Sequence, residues 1–154
     1  MATDPAPEGS PRLIPYLYVD GAADAIAFYS SVFGATEGMR LAGPGDKLGH
    51  AELEIGDSLL MLADEFPERG VLGPKSVGGT PFSMMIYVDD VDATMAHALS
   101  LGARVLLEAE DKIYGDRSVQ IEDPFGHRRA VSTHVEDVPE EEMTRRAREV
   151  MKGS

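Results

Sequence analysis

The stretch "YVDGAADAIAFYSSVFGA" at residues 18–35 has a counterpart in "YVDDVDATMAHALSLGA" at residues 87–103. The Tyr-Val-Asp starts lie 69 residues apart (87 − 18), and the Gly-Ala ends lie 68 apart (103 − 35). Each copy continues from an apolar strand pattern into a helical one and ends at Gly34 or Gly102, where a left-handed residue commonly terminates a helix. Such constant spacing predicts a duplicated folding unit.

The flanking segments complete each unit. In the first half "RLIPYLYV" precedes the helix, and a weak strand near residues 39–41, "HAELEIG" and "SLLMLA" follow it, with a hairpin at Gly56-Asp57. In the second half "FSMMIYV" precedes the helix, and "RVLLEAE", "RSVQIE" and "RRAVST" follow it, with a turn at residues 123–126. We therefore predict an α+β fold of tandem βαβββ modules at residues 12–65 and 82–135.

Three segments lie outside the two predicted modules. Residues 1–11 are rich in Pro, Gly and Ser and predict a disordered leader, and residues 66–81 predict a linker. Residues 136–154 predict a C-terminal helix and tail, with Asp137 as its cap. In the first module's helix, the spacing predicts a buried face made of Ala23, Ile26, Ala27, Tyr29, Ser30 and Phe33.

Composition excludes several classes of function. Of 154 residues, 14 are basic and 27 acidic, and the net charge of -13 argues against nucleic acid and against anionic membranes as partners. The absence of cysteine excludes disulfides and thiolate nucleophiles and is compatible with a cytoplasmic protein. No segment approaches the roughly 20 apolar residues of a spanning helix.

Two motifs within the duplicated unit carry a family resemblance. With "AIAFYSSVFGA" after the first strand and "DPFGH" before the last, residues 12–135 resemble the vicinal oxygen chelate superfamily of glyoxalase I, bleomycin and fosfomycin resistance proteins and extradiol dioxygenases. The stretches "GHAELEIGDSLLMLADE", "GGTP", "YGDRSVQIEDPFGH" and "TH" are similar to a glyoxalase-like, bleomycin-resistance-like subgroup. The resemblance implies that the two modules form a cupped mixed sheet around a ligand cavity, and that the protein is a homodimer.

The resemblance also implies four metal-ligand positions on the first and last strands of the modules. Carried over residue by residue, these positions hold Ile14, Met61, Ser83 and Ala130. At the last of them the family pattern is Gly-His-x-x-Glu, and this chain has "GHRRA" at residues 126–130. Alkyl, thioether and hydroxymethyl groups are poor ligands for the divalent cations of such sites. We therefore predict a cavity with no metal and no cofactor, and a structural role for His127.

Strand alternation sorts the candidate site residues by face. If Leu17 and Val19 pack under the helix, the residues between them face the cavity. The ligand-binding residues predicted in this way are Ile14, Tyr16, Tyr18, Met61, Ser83, Met85, Tyr87, Gln120 and Ala130. Arg117 of "YGDR" is a further candidate, because a guanidinium can bind a carboxylate or phosphate; a salt bridge to Asp116, Glu122 or Asp123 is the alternative.

His50 and Glu52 are the candidate catalytic pair, since they lie two residues apart on one strand face. A solvated surface pair is the alternative. We predict a protein that binds a small organic molecule in a metal-free cavity, with resistance by sequestration as one possible role. A metal-dependent lyase, isomerase or dioxygenase of glyoxalase type, and a metal-independent enzyme using His50 and Glu52, remain open, so the sequence does not decide whether the protein is an enzyme.

Overall fold

A computed structural model describes residues 4–153, which form two compact units divided between Thr80 and Pro81. Of the predicted leader, residues 1–3 lie outside the described residues. Residues 4–15 contain turns and bends and form neither helix nor strand.

The first unit is a four-stranded mixed sheet with one long helix. Its elements are β1 (Tyr16–Val19), α1 (Ala22–Phe33), β2 (Thr36–Ala42), β3 (Leu48–Ile55) and β4 (Ser58–Asp64). The strand order is β1-β4-β3-β2, with β1 parallel to β4 and the other pairs antiparallel. Strands β3 and β4 are joined at Gly56-Asp57, as predicted. This arrangement is the predicted βαβββ module.

One face of this sheet packs against α1 and forms the core. Leu17, Leu53 and Leu62 point into it and are almost fully buried. The buried side of α1 consists of Ala22, Ala25, Ile26, Phe28, Tyr29 and Val32. The predicted face was therefore partly wrong: Ile26 and Tyr29 are buried, but Ala23 and Ala27 are exposed. The real face is rotated so that Phe28 and Val32 enter the core.

The segment that was predicted as a linker contains local structure. It holds a 3-10 helix (Pro67–Arg69) and a short helix, α2 (Pro74–Val77). Glu65 anchors the segment, because its carboxylate accepts a hydrogen bond of 2.5 Å from the backbone N–H of Gly73. The sequence has no periodicity here because these helices are too short to show one.

The second unit repeats the topology of the first. Its elements are β5 (Ser83–Tyr87), α3 (Val91–Ser100), β6 (Arg104–Asp111), β7 (Asp116–Glu122) and β8 (Arg128–His134), in the strand order β5-β8-β7-β6. Strand β5 is parallel to β8, and the remaining pairs are antiparallel. The prediction of an α+β fold with two mixed sheets is therefore confirmed.

A C-terminal helix, α4 (Glu140–Lys152), follows the second sheet. The predicted cap was wrong: Pro139 is the N-cap residue, and the Asp137 carboxylate binds His134 instead. Arg146 ties the helix to the unit through Glu136 and the backbone oxygen of Ile113. None of the helices within residues 4–153 is long and apolar enough to cross a membrane.

Candidate ligand-binding site

The register of the first sheet places its candidate residues on one face, the face opposite α1, which we call the open face of the first sheet. Tyr16 and Glu52 both pair with Met61, so these three side chains form one row across β1, β4 and β3. Tyr18 lies two residues after Tyr16, and His50 lies two residues before Glu52, so both belong to the same face. Ile14 precedes β1 and is half-buried.

A hydrogen-bonded chain links Tyr16, His50 and Glu52 on this face. The Tyr16 hydroxyl lies 2.7 Å from Nδ1 of His50, and Nε2 of His50 lies 3.0 Å from the Glu52 carboxylate. An ionised carboxylate only accepts hydrogen bonds, so Nε2 of His50 is the donor to Glu52. In the neutral imidazole Nδ1 is then an acceptor, and the Tyr16 hydroxyl donates to it. Glu52 thus fixes the tautomer, and His50 fixes the hydroxyl.

The surroundings of Tyr16 keep its hydroxyl protonated. Burial is the main cause that raises its pKa, and the electrostatic influence of the neighbouring Tyr18 and Glu52 raises the pKa further. The phenol is therefore a neutral hydrogen-bonding group, with lone pairs on its oxygen available to a ligand.

Aromatic surface accompanies these polar groups. The rings of Tyr16 and Tyr18 lie 5.5 Å apart and are tilted by 50°, and the imidazole of His50 lies 5.6 Å from the Tyr16 ring. Tyr16 and Tyr18 are 41% and 38% exposed, so their rings are accessible on the open face. Exposed aromatic rings beside a few oriented polar groups are typical of a small-molecule site.

The open face of the second sheet, opposite α3, carries the other candidates. Met85 pairs with Ala130, which pairs with Gln120; Ser83 pairs with Arg128 in the row before, and Tyr87 pairs with Ser132 in the row after. The five candidates Ser83, Met85, Tyr87, Gln120 and Ala130 therefore share one face.

Arg117 lies on the opposite face of the second sheet. Its guanidinium binds the Asp92 carboxylate of α3 through two hydrogen bonds of 2.9 and 3.1 Å and reaches Asp111 at 3.3 Å. These partners are not the carboxylates considered from the sequence. Since Arg117 is engaged by two carboxylates away from the open face, we leave it out of the proposed site.

The structure shows a second polar network that the sequence did not predict. Asp116, whose side chain is buried, accepts hydrogen bonds from the Tyr87 hydroxyl and from Nδ1 of His134, both at 2.8 Å. Nε2 of His134 lies 2.7 Å from the Asp137 carboxylate. Hydrogen bonds to Asp137 and Asp116 raise the pKa of His134, so the imidazole stays protonated to higher pH. The bond to Asp116 also raises the pKa of Tyr87.

A signal for this network was present in the sequence. Asp116 belongs to "YGDR" and His134 to "TH", two stretches on which the resemblance rested. The antiparallel register of β7 and β8 places these two residues directly opposite each other. Without that register, nothing in the sequence connects these two residues.

A comparison with known protein families identifies the superfamily of this chain. Residues 12–131 match the model of the glyoxalase/bleomycin resistance protein/dioxygenase superfamily. The chain belongs to this superfamily. It is also 42% identical, over 136 residues, to uncharacterised proteins of Mycobacterium bovis and Mycobacterium tuberculosis; the match covers 86% of this chain and 90% and 80% of those proteins, respectively.

Solved structures show the same superfamily fold. Protein PA1353 from Pseudomonas aeruginosa matches with a TM-score of 0.65 at 23% identity, over 82% of this chain and 100% of that one. The fosfomycin resistance protein FosX from Listeria monocytogenes matches with a TM-score of 0.61 at 16% identity, over 87% and 98%. At these identities the likeness establishes the fold and leaves the reaction open.

The superfamily's metal positions can now be tested against the geometry. In the first unit Met61 pairs with Tyr16, two residues after Ile14; in the second, Ala130 pairs with Met85, two residues after Ser83. The two pairs therefore occupy equivalent places, and neither supplies an imidazole or carboxylate. Across residues 4–153, no group of three or more His, Asp or Glu side chains is placed to hold a metal ion. The residues present do not fit the superfamily's metal.

Proposed function

We propose that the chain is a superfamily member that binds a small organic molecule on the open face of the first sheet without a metal at the superfamily's positions. The observation that carries this proposal is the hydrogen-bonded chain of Tyr16, His50 and Glu52 beside the exposed rings of Tyr16 and Tyr18. Sequestration of a toxic compound by a cytoplasmic homodimer is the role we favour, because the superfamily includes bleomycin resistance proteins.

The chemistry of Tyr16 favours binding over catalysis. A phenol whose pKa is raised is a weak acid, so at neutral pH it orients a ligand through its oxygen and does not become a base. The fixed hydroxyl and imidazole are held in place before any ligand arrives. Such preorganisation lowers the entropy that binding costs.

The same chain of residues supports one catalytic alternative. A substrate proton would pass to the Tyr16 oxygen while the Tyr16 proton passes to Nδ1 of His50, and Glu52 would stabilise the imidazolium that forms. This relay conserves protons and needs no metal. The specific observation that favours it is the Nε2 contact of 3.0 Å to Glu52, which orients the imidazole.

The test uses purified protein treated with EDTA and screened by thermal shift and ligand-observed NMR. The probes are a library of small organic fragments together with bleomycin and fosfomycin. We expect binding that survives EDTA and that weakens about tenfold in Tyr16→Phe, which loses one hydrogen bond to the ligand. We expect binding to weaken also in Glu52→Gln, because an amide can either accept from or donate to Nε2 of His50 and no longer fixes the tautomer. The matched control is Glu54→Gln, an exposed carboxylate on the same strand and face.

Three outcomes distinguish metal-free binding at this site from the alternatives. Binding that disappears with EDTA, together with stoichiometric Zn, Ni, Fe or Mn in the purified protein, would support a metal-dependent enzyme. Turnover of a bound compound that is lost in Glu52→Gln but kept in Glu54→Gln would support the relay. Binding that is unchanged in Tyr16→Phe would contradict the proposed site.

A further inference from the structure

A hollow of about 410 Å³ lies at one edge of the second sheet. Strands β5 and β8 are parallel, so their last residues, Tyr87 and His134, meet at the same edge. The residues that line the hollow are Tyr87, Val88, Asp89, Thr133 and His134. Its volume falls within the range of roughly 300–1,000 Å³ that is common for small-molecule sites.

The side-chain donors of this hollow are all used within the protein. The Tyr87 hydroxyl donates to Asp116, and the Thr133 hydroxyl donates to the backbone oxygen of Val88, each at 2.8 Å. When His134 is protonated, its two N–H groups donate to Asp116 and Asp137. A ligand therefore finds no free side-chain donor in the lining.

The groups that remain available to a ligand are acceptors. The Tyr87 oxygen donates its proton inward and keeps its lone pairs, and the same holds for Thr133. Asp89 is exposed, and within residues 4–153 its carboxylate takes part in no hydrogen bond or ion pair. Asp89, Asp116 and Asp137 together outweigh the single positive charge that His134 can carry. The hollow thus combines acceptors with a negative local charge.

The acceptors are held in fixed positions. The Asp116 carboxylate is 3% exposed and receives two hydrogen bonds, so it holds both the Tyr87 ring and the His134 imidazole. Ser132, which pairs with Tyr87 across the strands, is fully buried and donates to Ser118. The hollow is therefore formed before a ligand binds, and only the Asp89 side chain needs to be ordered.

We propose that this hollow binds a small organic cation with N–H donors, such as a primary ammonium or a guanidinium group. The donors would bond the Asp89 carboxylate and the Tyr87 oxygen, and the charge would lie over the face of the Tyr87 ring, to which cations are attracted. This site shares no residue with the one proposed at Tyr16, His50 and Glu52 and does not depend on the function proposed for them.

The test is a titration of the full chain followed by backbone amide NMR shifts at residues 87–89 and 133–134. The probes are n-butylammonium, n-butylguanidinium, n-butyltrimethylammonium and n-butyrate. Because the hollow is open to solvent and the probes are small, we expect dissociation constants of about 1 mM for the first two. The trimethylated cation has no N–H donor and should bind about tenfold more weakly, and butyrate should not bind.

Two variants assign the effect to the hollow. Asp89→Asn should weaken n-butylammonium binding about tenfold, the loss of one charge-assisted hydrogen bond. The matched control Asp57→Asn removes the same charge at the β3–β4 turn of the first unit and should leave the affinity unchanged. Tyr87→Phe should also weaken binding, but it removes a bond to Asp116, so Asp89→Asn is the decisive variant.

Three results would contradict the proposed cation site. Equal affinity in Asp89→Asn and Asp57→Asn would show only general attraction to an acidic protein. Equal affinity for n-butylammonium and its trimethylated analogue would remove the requirement for donors. Glu52→Gln should bind n-butylammonium as the unchanged protein does; a loss there would place the cation on the first sheet and overturn this proposal while leaving the first one standing.

Discussion

Gly115 shows how a single missing side chain allows the end of the second sheet to close. Its φ is +96°, and a Cβ atom built there would lie 1.9 Å from the backbone oxygen of Glu136. The Gly115 oxygen accepts hydrogen bonds from the N–H groups of Val135 and Glu136, at 2.8 and 3.0 Å. The chain that leads from His134 to α4 is therefore pressed directly against this residue.

We expect Gly115→Ala to lower the free energy of unfolding by about 2–4 kcal/mol. The change adds a left-handed alanine, which costs roughly 1–2 kcal/mol, to a steric overlap that the backbone must relieve by moving. Chemical denaturation followed by circular dichroism measures the difference.

The control for this substitution is Gly34→Ala. Gly34 also has a positive φ, of +68°, but a Cβ there would meet no atom within 4 Å. This variant should therefore lose only the conformational part, about 1–2 kcal/mol. Equal losses in the two variants would show that the close approach of Glu136 is not what requires glycine at position 115.

At the level of elements, helices α1 and α3 begin in different ways. Helix α3 has a local cap, because the Asp90 side chain accepts a hydrogen bond from the N–H of Ala93. The N-cap residue of helix α1 is Gly21, which has no side chain, and Asp64 of β4 takes the place of a capping side chain. Its buried carboxylate accepts from the N–H groups of Gly21, Ala22 and Leu48, at 3.0, 2.8 and 2.7 Å. One residue thus joins the helix, β3 and β4.

We expect Asp64→Ala to destabilise the chain by about 3–5 kcal/mol, because three backbone donors lose their acceptor in a buried place. The comparison is Asp90→Ala, which removes an exposed cap and should cost about 1 kcal/mol. Urea denaturation of both variants gives the two values. Losses of similar size would mean that water reaches the N–H groups around Asp64 and replaces the carboxylate.

At the level of elements, the sequence predicts best those features that follow from the regular spacing of side chains along a strand or helix. Side chains alternate strictly along a strand, so Tyr16, Tyr18, His50 and Glu52 were assigned to one face from a single assumption, and the structure places them on one face. The helical pattern of α1 admitted two neighbouring faces, and packing against the sheet selected the one with Phe28 and Val32. Asp137 has the sequence position of a cap, but its carboxylate is hydrogen-bonded to His134 instead.

At the scale of the whole molecule, the duplication predicted the topology but not the chemistry. In each unit a tyrosine of the first strand crosses the fourth strand and bonds a residue of the third, Tyr16 to His50 and Tyr87 to Asp116. Tyr87 corresponds to Tyr18, not to Tyr16, because the repeat offset is 69 (87 − 18). The bridge has therefore moved by one row between the units. Such cross-strand pairs depend on register, which no single segment of sequence reveals.

The charge of the whole chain gives a last prediction. A net charge of -13 at pH 7 repels itself more strongly in the compact state than in the unfolded chain, and added salt screens this repulsion. We expect the midpoint of thermal unfolding at pH 7 to rise by about 3 °C between about 10 mM and 150 mM NaCl, which corresponds to roughly 1 kcal/mol for a chain of this size. The control is the same pair of measurements near pH 5, close to the isoelectric point of about 4.6, where the rise should largely disappear. A midpoint that falls with salt at pH 7 would show instead that ion pairs such as those of Arg117 and Arg146 outweigh the overall repulsion.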